Sequence, residues 1–392
     1  MSVSPWHERF NSLVDQGLDR EMRIITSPVG PSVETPDGPK LLFCSNDYLG
    51  LAADPRIGNA VARSAQKWGS GTAASRLISG NTSSHFELEK RLARFMGTQA
   101  AVLFPTGFQA NVGALPALVG EGDVIFSDEL NHASLIDGSR LSDAPVRIYR
   151  HGDSHHLEQL LQDEPPTTGI RLVVTDAIFS MDGDFTPIDD ICSVAEKHDA
   201  RVYLDEAHSL GVVGPGGRGL AAQKGLADNT TIRIGTLGKA FGVAGAFVAC
   251  DSDAAGMLVS RARSLLYSTG PPVPIVEALI ESLEIVERAD DLRARLAGNV
   301  SLFKDLAHKA KVELIPSDTP IQPVPIGPSD RAMAVSGSLW DMGFFVQGIR
   351  PPTVRAGTSR LRVTLCAAHT EQQIEDLVGA LADALETETK NK

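Results

Sequence analysis

From about residue 55 to 270 the chain alternates short apolar runs with longer segments of helical periodicity, and that alternation leaves few architectures open. The runs AAVLF, DVIFS, VRIYR, RLVVTDAIF, RVYLDEA, TIRIGTL and AGAFVAC are rich in Val, Ile and Phe, and several are apolar on both faces. Strands of that kind need cover on each side, which a mostly parallel sheet flanked by helices provides. The expected large domain is therefore a doubly wound α/β domain over residues 51–285.

Past the break at Gly270, Pro271 and Pro272, the stretch from Ile275 to about Ala310 is helical in period, with Leu279, Leu283 and Val286 on its apolar side. It reads as a spine leading to a smaller α+β C-terminal domain, residues 286–392. There KVELIPS, IQPVPIG, FFVQGIR and RLRVTLC are the expected strands, with helices near 329–342 and 370–386 and a solvated tail ETETKNK. At the other end, an amphipathic helix is expected over 6–22. The Pro/Gly-rich SPVGPSVETPDGPK follows as a turn-rich connection, making residues 1–50 an arm.

Composition narrows the class of function. A chain of 392 residues with 42% hydrophobic and 22% charged residues can bury a large core and is neither disordered nor fibrous. A net charge of -13 disfavours nucleic acid and anionic membranes as partners. Cys44, Cys192, Cys250 and Cys366 lie far apart and form no CxxC pair, so neither a disulfide framework nor a cysteine metal site is indicated. No apolar run reaches the roughly 18 residues of a membrane span, and the first residues have no signal-peptide pattern, so a cytoplasmic location is expected.

The chemistry concentrates in RVYLDEAHSLG and, about thirty residues on, TIRIGTLGKAFG. Asp205 and His208 would stand at the carboxyl end of one strand and Lys239 at that of another, where α/β sheets gather their ligands. Gly238 and Gly242 leave little bulk around Lys239, so a planar ligand could reach its amine. A desolvated lysine can be neutral enough to form an imine. A carboxylate at Asp205 would keep the ring nitrogen of pyridoxal phosphate protonated, and His208 could bond the ring's phenolic oxygen. Each residue alone has a plainer reading: a solvated lysine, a helix cap or ion pair, a structural histidine. Upstream, Gly107 and Phe108 should open a helix with unpaired N–H groups, an anion site. His132 fits either a ring-stacking residue or an ordinary loop histidine.

Three other motifs fail. GPGGRG at 214–219 has Pro215 inside its turn and no acidic residue suitably placed after it. DEAH at 205–208 suggests a nucleic-acid-dependent ATPase, a rival of a different class, yet no GxxxxGK[ST] accompanies it. HGDSHH at 151–156 matches no zinc spacing and should precede a surface helix.

Over almost its whole length the chain resembles the α-oxoamine synthases, fold-type I pyridoxal phosphate enzymes. The resemblance rests on SNDYLGL, GSGTAASRLISGNTSSHFELE, TGFQAN, DELNHASLIDG, FSMDGD, DEAHSLGV, TLGKAFG, LLYSTGPP and RPPTVRAGTSRLRVTL. Gly107 in TGFQAN, where glycine-using members usually have cysteine, and IRPPTV at 349–354 favour the alanine-using branch, which condenses L-alanine with a pimeloyl thioester in biotin synthesis. A serine- or glycine-using acyltransferase is the alternative.

The resemblance implies that Lys239 holds the cofactor and moves the proton, that His132 stacks on the ring and meets substrate, and that Asp205 pairs with the ring nitrogen. It places His208 and Ser180 near the ring oxygen and Thr236, Gly107 and Phe108 at the phosphate. Ser268 and Thr269 would reach the phosphate of a second copy, which implies a homodimer. Arg350 would take the substrate carboxylate, since a guanidinium offers two parallel hydrogen bonds, with Arg20 and Thr353 as further substrate contacts. Asp176 stands where this branch often has glutamate, and Arg355 where it often has proline.

Overall fold

The computed structural model describes residues 4–165, 168–228 and 230–390. The chain divides into two compact units, Asn46–Ala297 and a second made of the chain up to Ser45 together with the part from Gly298 onward.

In the larger unit seven strands form one sheet in the order Ala100–Phe104, Ala246–Cys250, Ile232–Thr236, Arg201–Asp205, Arg171–Asp176, Val124–Asp128 and Val146–Tyr149. Ala246–Cys250 runs antiparallel to both its neighbours, and the remaining pairs are parallel. Successive side chains of a strand point to opposite faces. Accordingly Leu172 and Val174 join one buried cluster while Val173 joins the other, and Tyr203 separates from Val202 and Leu204 in the same way. On one face the sheet meets Ala110, Leu115 and Leu258; on the other, Leu157, Ile191 and Leu220. Each large apolar side chain buried this way contributes roughly 1.5–3 kcal/mol, so both faces are committed to helices. The strand ends carrying Asp205, Asp176 and Thr236 are thereby held in one row.

In the smaller unit, Ile321–Gly327, Ser359–Thr364 and Gln347–Ile349 make an antiparallel sheet with Ser359–Thr364 in the middle. A second sheet joins the hairpin Ser32–Thr35 and Gly38–Leu42 to the short strand Phe344–Phe345.

Several expectations are corrected here. The N-terminal helix covers only His7–Asp15, because Gly17 takes a left-handed φ of 61° just beyond it. The Pro/Gly-rich stretch contains a hairpin, and its pairing with Phe344–Phe345 places the arm with the C-terminal part of the chain. The spine is two helices, Val273–Glu287 and Asp290–Lys309, and the division between units falls inside the second. KVELIPS forms no strand; Ile315 N–H donates to Pro323 O at 2.9 Å outside any ladder. FFVQGIR splits into two strands around Val346, and the final helix, Glu371–Lys390, takes in most of the expected tail.

Candidate active site

At the carboxyl ends of the parallel strands lies a cavity of about 190 Å³ lined by Gly107, Phe108, Asn111, His132, Ser134, Asp176, Asp205, Ala207, His208, Thr236 and Lys239. Every lining residue belongs to the larger unit. Lys239 reaches it because a tight turn follows Thr236: Gly242 N–H donates to Lys239 O at 2.8 Å, and Gly242 sits at a φ of +67°. A Cβ on Gly242 would lie 2.5 Å from Leu51 C, so this glycine serves the turn and its close packing. The expected role of Gly242 in ligand access is corrected to that extent.

Lys239 Nζ is 2.8 Å from His208 Nε2, and His208 Nδ1 is 2.6 Å from the Tyr48 hydroxyl. The Tyr48 hydroxyl donates in turn to Asn46 Oδ1 at 3.3 Å. A charged lysine can only donate, so the chain runs from Lys239 to His208 Nε2, from His208 Nδ1–H to Tyr48, and on to Asn46.

Asp205 is buried, and its oxygens are engaged separately. Ala207 N–H donates to Oδ1 at 2.9 Å and the Asn111 amide donates to Oδ2 at 2.7 Å. The same amide donates to Ser134 Oγ at 2.9 Å, while Tyr203 OH donates to Asn111 Oδ1 at 2.9 Å. A hydroxyl on the oxygen side leaves the NH₂ side for Asp205, which settles the amide's orientation.

His132 caps the helix Ala133–Leu141: Ser134 N–H donates to its Nδ1 at 3.2 Å. Burial lowers its pKa below 6.5, and Lys239 pushes the same way against the pull of Asp205. The neutral ring with Nδ1 accepting carries its proton on Nε2. His132 N–H donates to Asp176 Oδ2 at 2.7 Å. Asp176 and Asp205 are direct partners on neighbouring parallel strands. Burial, reinforced by the charge of Asp205, raises the Asp176 pKa well above the carboxylate range.

The helix Gly107–Leu118 begins at the cavity wall. Thr106 Oγ1 accepts from Gln109 N–H at 3.1 Å and Thr106 O from Ala110 N–H at 2.9 Å. The N–H groups of Gly107 and Phe108 precede these and have no intrahelical acceptor, which makes them anion donors. Thr236 stands beside them: a Cβ on Gly107 would lie 3.7 Å from its Oγ1.

Of the expected site residues, Lys239, Asp205, His208, His132, Gly107, Phe108 and Thr236 line this one cavity. Ser180 lies outside the lining, on the turn after the strand Arg171–Asp176. Ser268 accepts from Gln109 Nε2 at 3.3 Å and Thr269 bridges to Ser75, both also outside it. Arg20, Arg350 and Thr353 belong to the smaller unit, where Arg20 donates to Thr353 Oγ1 at 3.4 Å and Arg350 donates to Asp19 O. Asn111, Ser134 and Tyr48 were not anticipated as site residues. A signal existed for Asn111, a polar side chain in the otherwise apolar ANVGALPAL one turn into the helix, where burial demands a partner.

Comparison with known proteins decides the family. A sequence profile of the aminotransferase class I and II family matches residues 38–381. The chain belongs to this family. Within it, the chain is similar to the 8-amino-7-oxononanoate synthase of Aromatoleum aromaticum, 48% identical over 366 residues that cover 93% of this chain and 94% of that protein. Among solved structures of the family it is similar to an SPT holding PLP as an internal aldimine, with a TM-score of 0.93, 30% identity and coverage of 98% and 97%. It is also similar to the 8-amino-7-oxononanoate synthase of Francisella tularensis, with a TM-score of 0.77, 29% identity and coverage of 89% and 99%. The doubly wound α/β domain expected from the strand pattern, the fold-type I architecture implied by the resemblance, and the resemblance to the α-oxoamine synthases all hold.

Proposed function

We propose that this chain is a pyridoxal phosphate-dependent acyltransferase that condenses L-alanine with a pimeloyl thioester, giving 8-amino-7-oxononanoate, carbon dioxide and free thiol. The observation that carries the reading is the convergence of Lys239, Asp205, His132, His208 and the helix start at Gly107 on one cavity of about 190 Å³. The chemistry of this donor set fits the cofactor: an amine for the aldehyde, a buried carboxylate for the ring nitrogen and a helix N-terminus for the phosphate. The choice of L-alanine rests on 48% identity to an oxononanoate synthase, against 30% to the SPT.

When bound, the cofactor supplies an electron sink for the charge that develops on the substrate's α-carbon. Lys239 Nζ would hold the cofactor and, when free, would serve as the base for the substrate's α-proton. His208 Nε2, 2.8 Å from Nζ, is placed to take a hydrogen bond from the free amine and so orient it. Asp205 would pair with the cofactor's ring nitrogen, and Asn111 and Ala207 hold its oxygens in place. His132 presents a ring face to the cavity, and Gly107, Phe108 and Thr236 would hold the phosphate. Ser180 is assigned to the ring oxygen, Arg350 to the substrate carboxylate, and Arg20 and Thr353 to further substrate contacts.

Ser268 and Thr269 are assigned to the phosphate of a second copy. Exposed Leu77, Ile78 and Tyr267, at 63%, 77% and 73%, lie in the segments joined by the Ser75–Thr269 bridge. An apolar patch of that kind favours a homodimer. Among the described residues no helix is long and apolar enough to cross a membrane.

The test is to incubate purified, cofactor-loaded protein with pimeloyl thioester and L-alanine, glycine or L-serine, and to measure free thiol and carbon dioxide. The reading expects turnover with alanine well above the other two. A preference for glycine or serine would overturn it.

A further inference from the structure

HGDSHH, residues 151–156, takes no part in the proposed reaction. Among the described residues no group of three His, Cys, Asp or Glu side chains could hold an ion. Its first histidine, His151, nevertheless sits between two carboxylates, with Nδ1 3.1 Å from Asp128 Oδ1 and Nε2 2.9 Å from Asp184 Oδ2. The two ring nitrogens face different acids, so the donors do not converge on a point. Ionised carboxylates only accept, so both ring nitrogens must carry protons, and a ring protonated on both is a cation.

We propose that His151 is a positioning residue whose imidazolium ties the loop carrying His132 to the turn carrying Ser180, so that both keep the placement the reaction uses. On one side, Asp128 ends the strand that leads into His132, and it also accepts from Leu130 N–H and Gly152 N–H, each at 2.9 Å. On the other, Asp184 closes the turn that holds Ser180 at its tip, since Phe179 N–H donates to Asp184 O at 3.1 Å and Gly183 N–H to Phe179 O at 2.8 Å. Phe179 packs edge-on against the His151 ring with centroids 4.3 Å apart. One ring thus grips this turn through both Phe179 and Asp184 while holding the neighbouring loop by Asp128.

The other charged groups around it are already engaged. Glu129 accepts from the His151 backbone N–H at 3.2 Å, and Arg150 pairs with Asp153 at 2.7 Å. Tyr149, two residues before it in the chain, is fully buried. Burial works against a charge on His151, yet the hydrogen bonds to Asp128 and Asp184 outweigh it and carry its pKa up to about 10. The clamp is therefore present through neutral pH and is released only as pH rises through about 10.

The clamp rests on the proposed function only for what the two loops do, and its test is arranged to separate the two. In the cofactor-free protein, NMR titration of the imidazole resonance that is missing from His151→Gly should show a ring still cationic at pH 8. A midpoint near 6.5 would overturn the clamp whatever the enzyme does. In the loaded protein, His151→Gly should bind pyridoxal phosphate roughly tenfold more weakly and lose most of the visible circular dichroism of the bound cofactor. Added imidazole should restore both, and pyrazole, a ring of the same size that stays neutral at pH 8, should restore neither. Equal rescue by pyrazole would mean that the ring only fills space, and would overturn the proposal.

Discussion

The Asn111 amide donates to Asp205 Oδ2 at 2.7 Å, and Tyr203, on the same strand as Asp205, fixes which way that amide faces. Asp205 is thus aimed by a helix residue whose own orientation is set from the sheet. Asn111→Leu removes the donor at similar volume and leaves the Tyr203 hydroxyl buried without its acceptor. It should retain cofactor and lower kcat about 10- to 100-fold, since partners of this kind act through the group they hold. Steady-state kinetics on the loaded variant check this, and an unchanged kcat would refute the role.

Two carboxyl groups meet at one end of the cavity, and only Asp205 is assigned a charge there. Asp176→Asn keeps an oxygen to accept from His132 N–H and should stay within about tenfold of the parent activity. Asp205→Asn removes the charge opposite the ring nitrogen and should cost roughly 100-fold or more. Parallel assays of the two variants decide the matter, and equal losses would mean that both acids are ionised.

Acid should loosen the smaller unit through His369. Its ring stacks on Phe43 with centroids 4.1 Å apart, accepts from Cys366 N–H and donates to Leu42 O, and burial lowers its pKa to about 4. The unfolded chain takes up this proton near 6.5 and the folded chain only near 4, so stability is full above 6.5 and declines as pH falls through that window, by about 3 kcal/mol in all. Denaturant midpoints from pH 7 to pH 4 should fall less steeply for His369→Gln than for the parent. Identical slopes would exclude His369 as the source.

Gly242→Ala should destabilise the fold by about 2–4 kcal/mol, because alanine at a φ of +67° is strained and its Cβ would press on Leu51 C. A chemical denaturation curve measures it. A midpoint equal to the parent's would show that the turn gives way easily.

The seven-stranded sheet was legible because every strand except the edge strand Val146–Tyr149 is a short apolar run buried on both faces, so the pattern survives without knowledge of its neighbours. Lys239, Asp205, His208 and His132 were legible for a related reason: strand ends are where such a sheet exposes side chains to ligand, and all four follow strands closely. What failed depended on contacts remote in sequence. The hairpin at Ser32–Leu42 is disguised by Pro31, Pro36, Pro39 and Gly38, and its strand character comes from pairing with Phe344–Phe345, about 300 residues away. KVELIPS alternates like a strand but gains no ladder partner. Tyr48 lies 160 residues from His208, and neither spacing nor periodicity links the two.

Attachment of the cofactor to Lys239 is the claim on which the mechanism stands. The direct measurement is borohydride reduction of the loaded protein followed by peptide mass mapping. The account predicts a single pyridoxyl phosphate adduct, on the peptide containing Lys239, and none in Lys239→Ala. An adduct on a different lysine, or a protein that binds the cofactor without any reducible link, would contradict it.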